Sequence, residues 1–326
     1  MFQTLPYETV MKIFKNLNRS ELLKVSEVSK RFYDAATDSS LWKAFDISHR
    51  SLEDKIKILQ LSRCKKLKTL TLTDSNGGVN NEILQILMKN DLEMLTLKRV
   101  NFESIDKVLL ANVISKTRAV KLVSPRNLEQ DHINMILKMI PGSGIKVLAL
   151  VQMKFSGIAP RTVAKAINSL ETFEVGKQNH FDEIQMIDTF EEMSKKTNLK
   201  KILIHAEFLK KVPARILGKA LNKMHHVECH DDKEVSLTSE QLIEIFNKMS
   251  YQTNLQTLFM LIPDASEGSI ISVPDDILAR AISKLRVFIA PLLKFSESQI
   301  ESVFQSIDCG RAPIVRLCFS FSIFTA

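Results

Sequence analysis

The sequence predicts an α/β protein: a short unit of three helices, followed by a curved solenoid with a parallel sheet on the concave side and helices on the convex side. Three observations predict it. An apolar residue, two others, an apolar, one other and an apolar recur from Leu67 to the carboxyl end, with starts 25 to 31 residues apart. Apolar stripes at helical spacing fill the intervals. Ahead of both, residues 5–46 carry an apolar pattern of a different kind, without the strand marks.

In that first segment Val10, Ile13, Phe14 and Leu17 form one stripe of a helix, and Pro6 stands in its first turn, where no backbone donor is needed. Asn18 is expected to cap the next helix while Glu21 reaches back, as in a capping box. Leu22, Val25 and Val28 continue the apolar face. About forty residues bury too little surface to stand securely alone, so the unit should lean on a partner protein.

The succession Leu5-Pro6, Ile13-Phe14, Leu17, Leu22-Leu23, Val25-Ser26, Val28-Ser29-Lys30-Arg31-Phe32, Asp38 and Ser40-Leu41-Trp42 resembles an F-box. Ser29 and Phe32 stand where that family usually has Cys and Trp. The resemblance implies docking to a Skp-type adaptor and, through it, to a cullin. It also implies the adaptor-facing residues: Leu5, Pro6, Ile13, Phe14, Leu17, Leu22, Leu23, Val25, Val28 and Trp42. The plainer alternative is a helical hairpin that only caps a larger domain.

The boundaries expected are residues 1–50 for the helical unit, 51–66 for a linker helix and 67–326 for about ten strand units. The densest basic stretch, Lys55, Lys57, Arg63, Lys65, Lys66 and Lys68, is expected to be the solvated face of a helix carrying Ile56 and Leu59. A formal charge of +8 and a pI near 9.2 favour acidic partners, but no aromatic side chains interleave with this basic run to stack bases. No run of eighteen apolar residues occurs, and Glu8 and Lys12 interrupt any leader-like start, so a cytoplasmic or nuclear location without membrane contact is expected. Cys64, Cys229, Cys309 and Cys318 are too scattered for a disulfide framework and are expected as reduced thiols.

The strand marks are Leu67-Leu70-Leu72, Leu92-Leu95-Leu97, Thr117-Val120-Leu122, Ile145-Leu148-Leu150, Leu170-Phe173-Val175, Leu199-Ile202-Ile204, Met224-Val227-Cys229, Leu255-Leu258-Met260, Leu285-Phe288-Ala290 and Ile314-Leu317-Phe319. Ala159-Pro160, Val212-Pro213 and Val273-Pro274 open every second helical stretch, so two unit types alternate. From residue 52 onward the chain resembles leucine-rich repeats of the longer, helix-containing type. Such units cannot cover their own apolar faces and stack on one another. The asparagines that often close the strand turn in that family are largely missing, which implies irregular turns.

Side chains alternate along a strand, so with the marks inward the residues between them face the concave side. Early units then present Thr69, Thr71 and Thr73, followed by Met94, Thr96 and Lys98; the middle presents Val147, Ala149 and Val151. Later units present His226, Glu228 and His230, and then Phe259, Leu261, Val287 and Ile289. A soluble repeat has little reason to show that last apolar cluster to water, so a target is expected on these seven residues. A one-residue slip of register would swap the faces.

His225 through His230 holds the residue types of a metal cluster. On a strand, however, Cys229 points inward and leaves His226, Glu228 and His230 as an incomplete ligand set, so no metal is expected. Gly142-Ser143-Gly144 precedes a strand and is a turn. No phosphate-binding loop, zinc-protease motif or nucleophile elbow occurs, and neither a cofactor nor intrinsic catalysis is expected. Together the two resemblances imply the substrate-recognition subunit of a cullin-RING ubiquitin ligase. The alternative is a non-ligase binding scaffold or inhibitor with the helices as a cap; RNA binding rests on charge alone.

Overall fold

The computed structural model of the chain describes residues 5–17, 19–48, 50–60, 67–73, 78–176, 179–230, 237–261, 273–291, 293, 295–308 and 316–319. Strand and helix alternate through it, as the repeat predicts. Among the described residues no helix is long and apolar enough to cross a membrane. The chain divides into two compact units, Met1–Glu129 and Gln130–Ala326.

The first unit opens with α1 (Tyr7–Phe14), α2 (Arg19–Ser26) and α3 (Lys30–Ala36). Ser29 starts α3 by accepting the Phe32 amide on its hydroxyl and so serves as its N-cap. Phe32 packs edge-on against Phe14 with ring centroids 5.5 Å apart. Asn18, expected to cap α2, lies outside the described residues. A 3-10 turn at Ser39–Trp42 follows, and then a short strand, β1 (Ala44–Asp46).

The repeat pattern places the first strand unit at residue 67, yet the ladder starts earlier, at β1. It pairs in parallel with β2 (Thr69–Thr73), Ala44 opposite Thr69 and Asp46 opposite Thr71. The strands β3 (Met94–Lys98) and β4 (Ala119–Val123) continue the order. One device sets each strand entry: Lys43 O accepts from Lys68 N and Thr69 N, and Lys68 O from Glu93 N and Met94 N. Leu70, Leu72, Leu95, Leu97, Val120 and Leu122 are buried. The helices α4 (Leu52–Gln60), α5 (Asn81–Leu87) and α6 (Lys107–Lys116) pack side by side, and α5 and α6 are capped by Asn80 and Asp106. Arg99 and Ser124, the first residues after β3 and β4, take left-handed backbone conformations at φ 56° and 49°.

Lys55 corrects the solvated-face expectation. It is fully buried, and its ammonium lies 3.4 Å from the carbonyls of Thr73 and Gly78. The α4 stripe that faces the strands contains Lys55 and Leu59, so this lysine serves the interior while Lys57 stays outside. Arg63, Lys65 and Lys66 lie outside the described residues, as does Cys64.

The second unit contains β5 (Val147–Val151), β6 (Thr172–Val175), β7 (Lys201–His205), β8 (His226–His230), β9 (Thr257–Leu261), β10 (Val287–Ala290) and β11 (Arg316–Phe319), all parallel and in chain order. Its helices are α7 (Gln130–Met139), α8 (Pro160–Ser169), α9 (Glu183–Lys195), the short α10 (Ala206–Lys210), α11 (Ala214–Leu221), α12 (Ser239–Tyr251), α13 (Asp275–Ile282) and α14 (Glu297–Asp308). Pro160, Pro213 and Pro274 sit at the starts of α8, α11 and α13, where a missing amide costs nothing. Cys229 is buried and takes part in no disulfide; Cys309 lies outside the described residues, and so does the side chain of Cys318.

The alternate helices α9, α12 and α14 carry a device that the strand marks conceal. Gln185 and Gln241 close capping boxes with Asp182 and Thr238, and Gln299 exchanges the same pair of bonds with Ser296. Each glutamine then turns its amide nitrogen toward the preceding unit. Gln185 donates to Phe155 O and Ile158 O, both at 2.8 Å; Gln299 donates to Val273 O at 2.7 Å. The accepting carbonyls of Ile158, Val212 and Val273 stand just ahead of the proline-started helices, so one unit type locks the other. Asn179 adds one bridge of the kind expected to be scarce, accepting from Met153 N at 2.6 Å and donating to Leu150 O at 2.7 Å.

Candidate functional site

Two surfaces stand out. The first is the helical unit. Four of the nine large hydrophobics exposed among the described residues fall on its helices or the turn between α2 and α3: Tyr7 at 42%, Ile13 at 42%, Val28 at 68% and Tyr33 at 54%. Pro6 is also exposed, while Leu5, Leu17 and Val25 are half-buried. The side chain of Leu23 lies outside the described residues.

Phe14, Leu22 and Trp42 depart from the adaptor-facing expectation, because their own chain buries them. The Trp42 indole N–H donates to Ala36 O at 2.6 Å, which satisfies its only polar atom inside the unit. These three residues shape the surface from beneath. The Tyr7 hydroxyl donates to Asp38 Oδ2 at 3.1 Å and ties α1 to the corner after α3. Partial burial, and then that bond, raise its pKa above the usual phenol value.

The second surface is the sheet face away from the helices in the second unit. Leu258, Met260, Phe288 and Ala290 are buried, and Thr257, Phe259, Val287 and Ile289 alternate with them as half-buried residues. Phe259, Val287 and Ile289 are therefore less exposed than the sequence suggests. Side chains on adjoining strands about 4.8 Å apart cover one another. Ala149 is buried for the same reason. The side chain of Leu261 lies outside the described residues.

Pairing brings the expected target residues together. Glu228 stands opposite Phe259 and His230 opposite Leu261; Phe259 in turn stands opposite Ile289, and Thr257 opposite Val287. Glu228 is gripped from both sides, with one oxygen 3.3 Å from His226 Nε2 and the other 2.8 Å from His230 Nε2. Burial pushes its carboxyl up, but the bonds to His226 and His230, helped by the charges of His230 and Lys201, leave it below the usual carboxylate range. The His230 ring lies 5.8 Å from the Phe259 ring. The three side chains bond to one another, and among the described residues no group of three or more His, Cys, Asp or Glu is placed to hold a metal ion.

Two further members of this face escaped the sequence reading. Leu203 stands opposite Glu228, and Glu174 stands opposite Leu203. Their strands were legible, but the row they complete requires the cross-strand register.

Among solved structures, a crystal structure of a TLR13–ssRNA13 complex is similar over 88% of this chain at 12% identity, with a TM-score of 0.38. This chain spans 35% of that one, and a likeness of this grade bears on neither function nor fold. Residues 2–48 match the F-box-like family. The protein therefore carries an F-box-like domain at its amino-terminal end, with parallel strand–helix repeats after it.

Proposed function

We propose that the protein is the substrate-recognition subunit of a Skp-cullin-F-box type ubiquitin ligase. One observation carries the reading: the residues that match the F-box-like family also hold the cluster of exposed Tyr7, Ile13, Val28 and Tyr33. F-box domains generally bind Skp-type adaptors, which in turn connect to a cullin. In this reading the repeats hold a target protein on the open face around Phe259, Val287, Ile289 and the His226-Glu228-His230 triad. The chain supplies proximity, holding the target at an effective concentration of order millimolar near a ubiquitin-charged enzyme bound elsewhere. No catalytic group of its own is required, and the work takes place in the cytoplasm or nucleus.

The test is co-purification with a Skp-type adaptor. Wild-type protein retains the adaptor and a cullin, whereas Ile13→Asp and Val28→Asp lose both while keeping the wild-type unfolding midpoint. An adaptor that ignores both substitutions refutes the reading.

A second reading has its own observation. Because β1 pairs with β2, the segment that carries the helical unit also supplies the first strand of the sheet. That is the behaviour of a cap on a non-ligase scaffold or inhibitor. Deleting residues 1–50 would remove β1 together with the helices, so point substitutions separate the two readings more cleanly than truncation.

A further inference from the structure

Across β6 to β10 the open face carries a row of Glu174, Leu203, Glu228, Phe259 and Ile289, each opposite the next in the parallel register. All five are half-buried. Carboxylate and apolar groups alternate at the spacing of neighbouring strands, and then the row becomes wholly apolar. We propose that this row docks an amphipathic helix of the target, laid across the strands, with basic residues at i and i+7 and apolar residues at i+4 and i+11. The inference rests on the target-receptor reading above and names the kind of segment that the site takes.

The spacing selects a helix. Glu174 and Glu228 lie two strands apart, about 9.6 Å, and a helix advances about 10.5 Å in seven residues. The apolar position between two such basic residues falls on Leu203, and the one beyond them falls on Phe259 and Ile289. An extended peptide repeats its face about every 6.8 Å and drifts off a row spaced at about 4.8 Å.

Charge selects the sign. On the described open face of β5 to β10, Glu174 and Glu228 outnumber the single fixed cation, Lys201, although the chain as a whole has a formal charge of +8. His226 and His230 hold the Glu228 carboxylate from either side, at 3.3 and 2.8 Å, so it meets an incoming cation already oriented. An acidic segment, or a nucleic acid, would bring like charge against the two carboxylates.

Two labelled Ala-rich helical peptides of about eighteen residues test this. One carries Lys at i and i+7 with Leu at i+4 and i+11; its twin has Glu in place of both Lys. Binding to the full chain is followed by fluorescence anisotropy, and adaptor retention is measured on the same preparations. The Lys helix is expected to bind about tenfold more tightly than its twin. The double variant Glu174→Gln, Glu228→Gln brings the ratio close to one, and Phe259→Ala weakens binding of the Lys helix with little change in that ratio.

Equal binding of the twins, failure of both to bind, or a Lys preference that survives the double variant overturns the proposal. So does a labelled single-stranded RNA that binds the chain and is released by Phe259→Ala. If the adaptor is retained in those cases, only this inference falls; loss of the adaptor from the wild-type chain sinks the receptor reading itself.

Discussion

Gln241 donates its side-chain amide to the carbonyl of Val212, 2.8 Å away, and so ties the first turn of α12 to the residue that precedes Pro213 and the start of α11. The same nitrogen reaches Leu209 O at 2.9 Å. Gln241 is buried, so neither carbonyl has water as a substitute.

Gln241→Ala is therefore expected to destabilise the protein by about 1–3 kcal/mol, the cost of a buried carbonyl left without a donor at Val212, while Leu209 O keeps the Val212 amide at 3.0 Å. Urea unfolding with an unchanged slope is the measurement. Gln241→Glu keeps the size, replaces a donor with an acceptor and should be at least as damaging. A midpoint within error of wild type for both variants would show that the clamp is incidental.

Gly218 gives a case where packing overrides helix propensity. A Cβ there would meet the Glu244 carbonyl oxygen at 2.8 Å, because α11 and α12 approach closely at this point. In an isolated helix Gly→Ala gains about 1 kcal/mol. Here Gly218→Ala is expected to lower stability by roughly 1–3 kcal/mol, the range for overpacking. A raised thermal midpoint would contradict the close approach.

Trp42 and Ile13 should separate two ways of losing an adaptor. Trp42→Ala opens a cavity in the helical unit and is expected to cost about 3–5 kcal/mol, with loss of adaptor binding following loss of structure. Ile13→Asp changes an exposed side chain and is expected to abolish binding at nearly constant stability. Circular dichroism melts run beside adaptor pull-downs distinguish them, and an unfolded Ile13→Asp variant would count against the exposed placement.

Glu228 predicts a pH effect of definite sign. Its carboxyl is held below the ordinary value of 4.5, so the folded state binds fewer protons there than the unfolded state in that range. The stability it contributes is fully present above that ordinary value and drains away as pH falls through the lower folded-state value. Glu228→Gln should remove this part of the acid dependence. A carboxyl resonance that titrates above 4.5 would reverse the assignment.

Much of the fold was legible because it rests on short-range periodicity. Leu70 and Leu72, or Leu258 and Met260, declare a strand face by their two-residue spacing, and Pro160, Pro213 and Pro274 announce helix starts by chemistry alone. The glutamine clamp is also written in the chain, as Asp182, Thr238 and Ser296 each followed three residues later by Gln. The apolar marks hide it because its polar atoms point inward. Lys55 misled for a similar reason: a lysine is ordinarily solvated, and nothing in its neighbourhood along the chain states that two carbonyls will meet its end.

The sequence by itself determined that strands and helices alternate, which strand residues turn inward, and that an F-box-like segment comes first. Those features depend on residue type and local spacing. Only the tertiary structure decided that Trp42 lies inside while Ile13 and Val28 stay outside, and that Glu174, Leu203, Glu228, Phe259 and Ile289 share one row. Burial depends on which distant surfaces meet. The row depends on the register of strands some thirty residues apart in sequence, which their hydrogen-bonded ladder selects and no single strand encodes.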